Sequence, residues 1–120
     1  MQQNPIDLSQ LEELLAGAVE IDAVLRELLV QSRTDSAELE IALEKQDIAQ
    51  VTRIAHRIKG AGRVVGANPL ASVFEAMEQD GKQGRLSFVL EAKSELVRLI
   101  AWLDAHLNTA AGTNDGGAKP

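Results

Sequence analysis

Ala55-His56-Arg57-Ile58-Lys59-Gly60, continued by Ala61-Gly62-Arg63-Val64-Val65-Gly66, sets an apolar stripe and a polar stripe on one segment. At about 100° per residue, Val51, Ala55, Ile58, Gly62 and Val65 fall within about 80° of one another, which makes them the face that seeks burial. His56 lies about 130° from the centre of that stripe. Its neighbours on the helix surface are Thr52, Lys59, Gly60 and Arg63, so the imidazole is expected at the surface and not in the core. Apolar spacing of three and four, rather than two, makes the segment a helix.

The same periodicity runs through the rest of the chain, alternating β-branched runs are missing, and Pro occurs only at 5, 69 and 120. The pattern predicts an all-α protein. Asp7 and Gln10 resemble a capping box that opens a short first helix with Leu8, Leu11 and Leu15, closed by Gly17. A long second helix runs from about 20 to 44 on an inner stripe of Ile21, Val24, Leu25, Leu28, Leu39 and Leu43, and its polar interval 31–36 is where it can bend or break. Asp47 and Gln50 open the third helix, which Gly66 stops after Val65. Asn68 is expected to cap the fourth, with Pro69 at its first position and Leu70, Val73, Phe74 and Met77 inward, and Asp80-Gly81 to end it. A fifth helix from about 86 to 107 carries Val89, Leu96, Ile100, Leu103 and Leu107. The expected architecture is an antiparallel up-and-down four-helix bundle with a short leading helix. It spans residues 7–109, after an N-terminal lead at 1–6 and before a small, Gly-rich tail at 110–120 expected to be disordered.

Composition narrows the function. The 120 residues suffice for one domain with one core. The absence of cysteine excludes disulfides, thiolate metal sites, cysteine nucleophiles and thiol redox chemistry. A net charge of −6 and a pI of about 4.8 argue against nucleic acid as partner, as do one Trp, two Phe and no Tyr. Neither a signal peptide nor a run of 18 uncharged apolar residues occurs, so no membrane contact and a cytoplasmic location are expected. His106 and His56 lack a ligand cluster at metal-binding spacing, and a cation near a helix C-terminus is accounted for by the macrodipole.

The company of His56 suggests chemistry. An imidazole nitrogen can accept a phosphoryl group near neutral pH without first losing a proton from an oxygen. Lys59, one turn on, offers the cation such a phosphate needs, and Arg63, a second turn on, offers another. Gly60 leaves room beside the ring, whereas Gly62, on the buried stripe, is explained by close helix packing. A mid-helix Gly costs about 1 kcal/mol against Ala, so each needs such a reason.

His56-Arg57-Ile58-Lys59-Gly60, with Gly66 six residues on, Leu70 four beyond that and the Met77-Glu78 pair, resembles the histidine-containing phosphotransfer (HPt) domains of multistep phosphorelays. It is most similar to those at the C-terminal end of unorthodox hybrid sensor kinases. The resemblance implies that His56 takes a phosphoryl group from an aspartyl phosphate on one receiver domain and passes it to an aspartate on another. It maps phosphate support onto Lys59, access onto Gly60 and the orientation of the imidazole onto Glu78, with Arg63 as a further candidate. The implied partners are receiver domains of a hybrid sensor kinase and of a response regulator, met by a monomer. No cofactor is expected on this chain, Mg²⁺ being supplied at the partner receiver, and no ATP-dependent kinase activity of its own. The second helix is also expected to lend apolar residues such as Leu29 to docking. The alternative is a helical interaction or dimerisation module without chemistry.

Overall fold

A computed structural model describes residues 4–15 and 17–118, and the side chains among them as far as 108. Positions 1–3 of the expected lead and 119–120 of the expected tail lie outside the described residues. Five helices follow one another: α1 Leu8–Leu14, α2 Ala18–Glu44, α3 Ile48–Val65, α4 Asn68–Lys82 and α5 Val89–Ala118. No strand occurs among the described residues, so the all-α expectation holds. α3 packs on α2 and α4, α5 packs on the same two, and α1 leans on α3.

The apolar stripes explain these contacts. Leu25, Leu28, Leu39 and Ala42 of α2 meet Val51, Ile54, Ala55 and Ile58 of α3, Leu70, Phe74 and Met77 of α4, and Ala92, Leu96, Leu99, Leu103 and Leu107 of α5 in one buried cluster. Each large apolar side chain removed from water contributes about 1.5–3 kcal/mol, so this core and not helix propensity decides the architecture. Ile6 and Leu11 join the same cluster, which places Ile6 of the expected lead inside the core.

The structure departs from the sequence-based expectations mainly at helix ends. Asp7 does cap α1, accepting from the Ser9 N–H at 3.1 Å. Gln10 does not close a capping box; its Nε2 donates to the carbonyls of Arg63 at 2.6 Å and Val64 at 3.2 Å. Those carbonyls lie in the last turn of α3, where regular helical partners run out; the Gly66 N–H reaches Arg63 at 3.4 Å, and the Gln10 amide adds to it. Gly66 takes the left-handed conformation at φ 78° that stops α3, and a Cβ there would lie 2.7 Å from the Asp7 carbonyl oxygen. α1 ends at Leu14 with Leu15 as its C-cap, and Gly17 opens α2 rather than closing α1. Asn68 is already helical, the cap position falling to Ala67 without a side-chain bond, while Pro69 sits in the first turn as expected.

Two further differences have packing causes, and a third lies in the bounds of α5. α2 runs unbroken through 31–36, because Ser32 and Asp35 are buried against neighbours instead of marking a weak point. Asp35 accepts from Gln31 at 3.0 Å and from Arg57 of α3 at 2.6 and 2.9 Å. Asp80-Gly81 does not end α4: the helices approach so closely that a Cβ on Gly81 would lie 2.0 Å from Thr52 Oγ1. α5 starts at Val89, not Leu86, and its backbone stays helical to Ala118, past the point at 110 where disorder is expected.

Candidate functional site

The seam between α3 and α4 is narrow because Gly62 has no side chain: a Cβ there would sit 3.3 Å from both the Ala67 carbonyl oxygen and Leu70 Cδ2. Along this seam two polar rows face each other. His56, Lys59 and Arg63 of α3 are spaced by three and four, as are Glu75, Glu78 and Lys82 of α4. Residues late in α3 meet residues early in α4, so Arg63 pairs with Glu75 and His56 with Glu78.

Glu78 is the centre of the site. Its side chain is 4% exposed whereas that of His56 is 69% exposed. Oε2 lies 2.8 Å from His56 Nδ1 and 3.5 Å from Lys82 Nζ. Oε1 is buried without a directed hydrogen bond, but Lys59 Nζ lies 2.7 Å from it, so an ion pair covers that oxygen. Lys59 also stands 3.4 Å from Glu75 Oε1, whose second cation is Arg63 Nη2 at 2.8 Å.

Burial is the largest influence on the Glu78 carboxyl and opposes its charge. The short contacts of Lys59 and His56 and their charges together outweigh it, and the pKa falls to about 2. Lys59 is raised, chiefly by its contact with Glu78, and Glu75 is lowered, chiefly by the bond from Arg63. An ionised carboxylate only accepts, so His56 Nδ1 carries the proton and donates it to Glu78. The neutral ring then has its lone pair on Nε2, the nitrogen without a protein partner among the described contacts. The chemistry open to this arrangement is nucleophilic attack by Nε2, with the resulting cation stabilised from behind by Glu78.

A family model described as the Hpt domain matches residues 23–108, most of the chain. The chain belongs to the Hpt domain family. Hpt domains perform histidine phosphotransfer in phosphorelays and interact with receiver domains of response regulators or kinases. No curated protein and no solved structure matches it.

Within this Hpt domain the structure brings His56, Lys59 and Glu78 into one contact group, and it sets Gly60 beside them with nothing within 4 Å of the Cβ it lacks. Arg63 is bound to Glu75, a turn beyond the group. Arg57 turns to Asp35 and Glu38 on α2, whose bonds raise its pKa, Asp35 foremost. Leu29 is half-buried against the core and not an exposed docking residue. His106 stacks on Trp102 with ring centroids 4.7 Å apart, and α5 continues beyond it, so the stack and not a helix terminus accounts for it. Two charged members of the site, Glu75 and Lys82, were not anticipated from the sequence. Their signal was present in the spacing 75, 78, 82, which repeats that of 56, 59, 63. No group of three or more His, Cys, Asp or Glu that could hold a metal occurs among the described residues. None of the described helices is long and apolar enough to cross a membrane.

Proposed function

We propose that His56 carries the phosphoryl group, taking it from an aspartyl phosphate on the receiver of a hybrid sensor kinase and giving it to an aspartate on a response regulator. The supporting observation is an exposed imidazole whose Nδ1–H is held by a buried, ionised carboxylate at 2.8 Å. In the first transfer the Nε2 lone pair attacks phosphorus, the bond from phosphorus to the aspartyl oxygen breaks, and the donor carboxylate leaves with that electron pair. His56 becomes a cation, neutralised by Glu78. The second transfer reverses the step: the acceptor carboxylate attacks, the N–P bond breaks and its electron pair returns to Nε2.

Lys59 moves from Glu78 toward the phosphoryl oxygens and supports them as a point charge. Gly60, with open space at its missing side chain, admits the receiver to the ring. We assign the Mg²⁺ of the reaction to the receiver. An apolar cleft between α2 and α3, lined by Val24, Leu28, Ala61, Val64 and Val65, gives the docking face its hydrophobic part. For the helices themselves we infer the antiparallel up-and-down order, supported by Arg33 pairing with Asp104 and Glu40 with Lys93 across α2 and α5.

Mixing with a radiolabelled phospho-receiver should move acid-labile, base-stable label onto wild type and none onto His56→Gln. Equal labelling of the two would defeat the proposal, and no label on either would favour the interaction module without chemistry.

A further inference from the structure

Lys59 is shared. Its ammonium stands 2.7 Å from Glu78 and 3.4 Å from Glu75, so a phosphoryl group on His56 must draw it from two carboxylates, not one. Glu78 cannot release its charge, since it holds the imidazole. Glu75 touches neither the ring nor any other described part of the site except through Lys59, and its remaining partner is Arg63 at 2.8 Å.

We propose that Glu75 is a positioning residue that competes with the phosphoryl group for Lys59, and that Arg63 weakens this competition by holding Glu75 from the other side. The inference rests on His56 being the phosphoryl carrier. The ammonium has a fixed charge to divide among Glu75, Glu78 and the phosphate, and a carboxylate bound to a guanidinium attracts it less than a free one. Phosphoryl transfer passes through a loose, metaphosphate-like transition state; metaphosphate carries a single negative charge where the histidine-bound phosphoryl group carries two, so the attraction of an ammonium for the oxygens falls on the way to breakdown. A cation on those oxygens therefore stabilises the phosphohistidine more than its breakdown, and lengthens its life. Glu75 thus shortens the life of the phosphorylated state and Arg63 lengthens it, both through Lys59.

The test needs no partner protein. Phosphoramidate loads an exposed histidine directly: Nε2 attacks phosphorus, the N–P bond of the zwitterionic reagent breaks, and neutral ammonia leaves. After removal of the reagent, hydrolysis is followed by intact-mass spectrometry. Water attacks phosphorus, the N–P bond breaks with its electrons returning to Nε2, and orthophosphate departs. Glu75→Gln should lengthen the half-life about threefold and Arg63→Gln shorten it by a similar factor, the size expected of exposed ion pairs. In a Lys59→Gln background Glu75→Gln should have no effect. That last result separates positioning through Lys59 from the mere removal of a negative charge near the phosphate.

An unchanged or shorter half-life in Glu75→Gln overturns the inference, and so does a lengthening that persists without Lys59. Should Glu75→Gln fail to fold, as judged by circular dichroism, Arg63→Gln decides alone: a half-life equal to wild type overturns the competition. Failure of wild-type His56 to load is a different result, which removes the phosphocarrier reading itself.

Discussion

Two glycines of α3, two residues apart, stand in opposite surroundings. A side chain on Gly62 would meet the Ala67 carbonyl, Leu70 and Ala71 at 3.3 to 3.5 Å, whereas one on Gly60 would meet nothing within 4 Å. The neighbours divide in the same way. Ile54, Ala55 and Ile58 are buried in the core, while His56 is exposed and Lys59, its side chain 15% exposed, lies among charges. One face of α3 is specified by shape, because a close-packed interior leaves no slack for an added methyl group. The other is specified by charge and by the absence of bulk. The fold should therefore tolerate change on the charged face, to which we assign the chemistry, and resist it on the packed face.

The largest effect on stability should come from the buried face. Gly62→Val should destabilise by about 1–3 kcal/mol in urea unfolding, because the added carbons press on a backbone carbonyl that cannot turn aside. Acid should act on the charged face alone. Glu78 has a folded pKa of about 2 against an ordinary 4.5, so its ionisation supports the fold fully above pH 4.5. That support is lost as the pH falls from there toward 2, since the unfolded chain takes up the proton first. Glu78→Gln should flatten this part of the acid dependence, and an unchanged profile between pH 5 and about 2 would show that the carboxylate is not held as described. The smallest effect belongs to Gly60→Ala. It should leave stability equal or raise it by up to about 1 kcal/mol through helix propensity, while slowing receiver-dependent transfer. A loss of stability there would erase the contrast between the two glycines.

Most of the architecture was legible because apolar spacing reports burial directly. Val51, Ala55, Ile58, Gly62 and Val65 were read from the wheel and are buried, and His56 was placed outside and is exposed. Helix ends were less legible, since a polar side chain near an end has several carbonyls and amides within reach. Gln10 serves the far end of α3 rather than its own helix, and Asp80-Gly81 marks a close contact with Thr52 rather than a stop. The polar interval of α2 was read as weakness because Asp35 gains its partner only when Arg57 arrives from another helix. At the site, His56, Lys59 and Gly60 could be read from spacing within one helix. Glu78 came only from the family resemblance, because nothing local brings α4 to α3. Glu75 and Lys82 share the three-and-four spacing of His56, Lys59 and Arg63, but two such rows signify a site only once they are known to face each other.

The proton on Nδ1 and the free lone pair on Nε2 are the features from which the proposed transfer chemistry follows. Nitrogen-15 and phosphorus-31 correlation spectroscopy of phosphoramidate-loaded, ¹⁵N-labelled protein reads both directly. Phosphorus should couple to Nε2 of His56, with the Nδ1 proton retained in its bond to Glu78. Phosphate found on Nδ1 of His56 would contradict the nitrogen assigned to the attack, and phosphate found on His106 would contradict the carrier role assigned to His56.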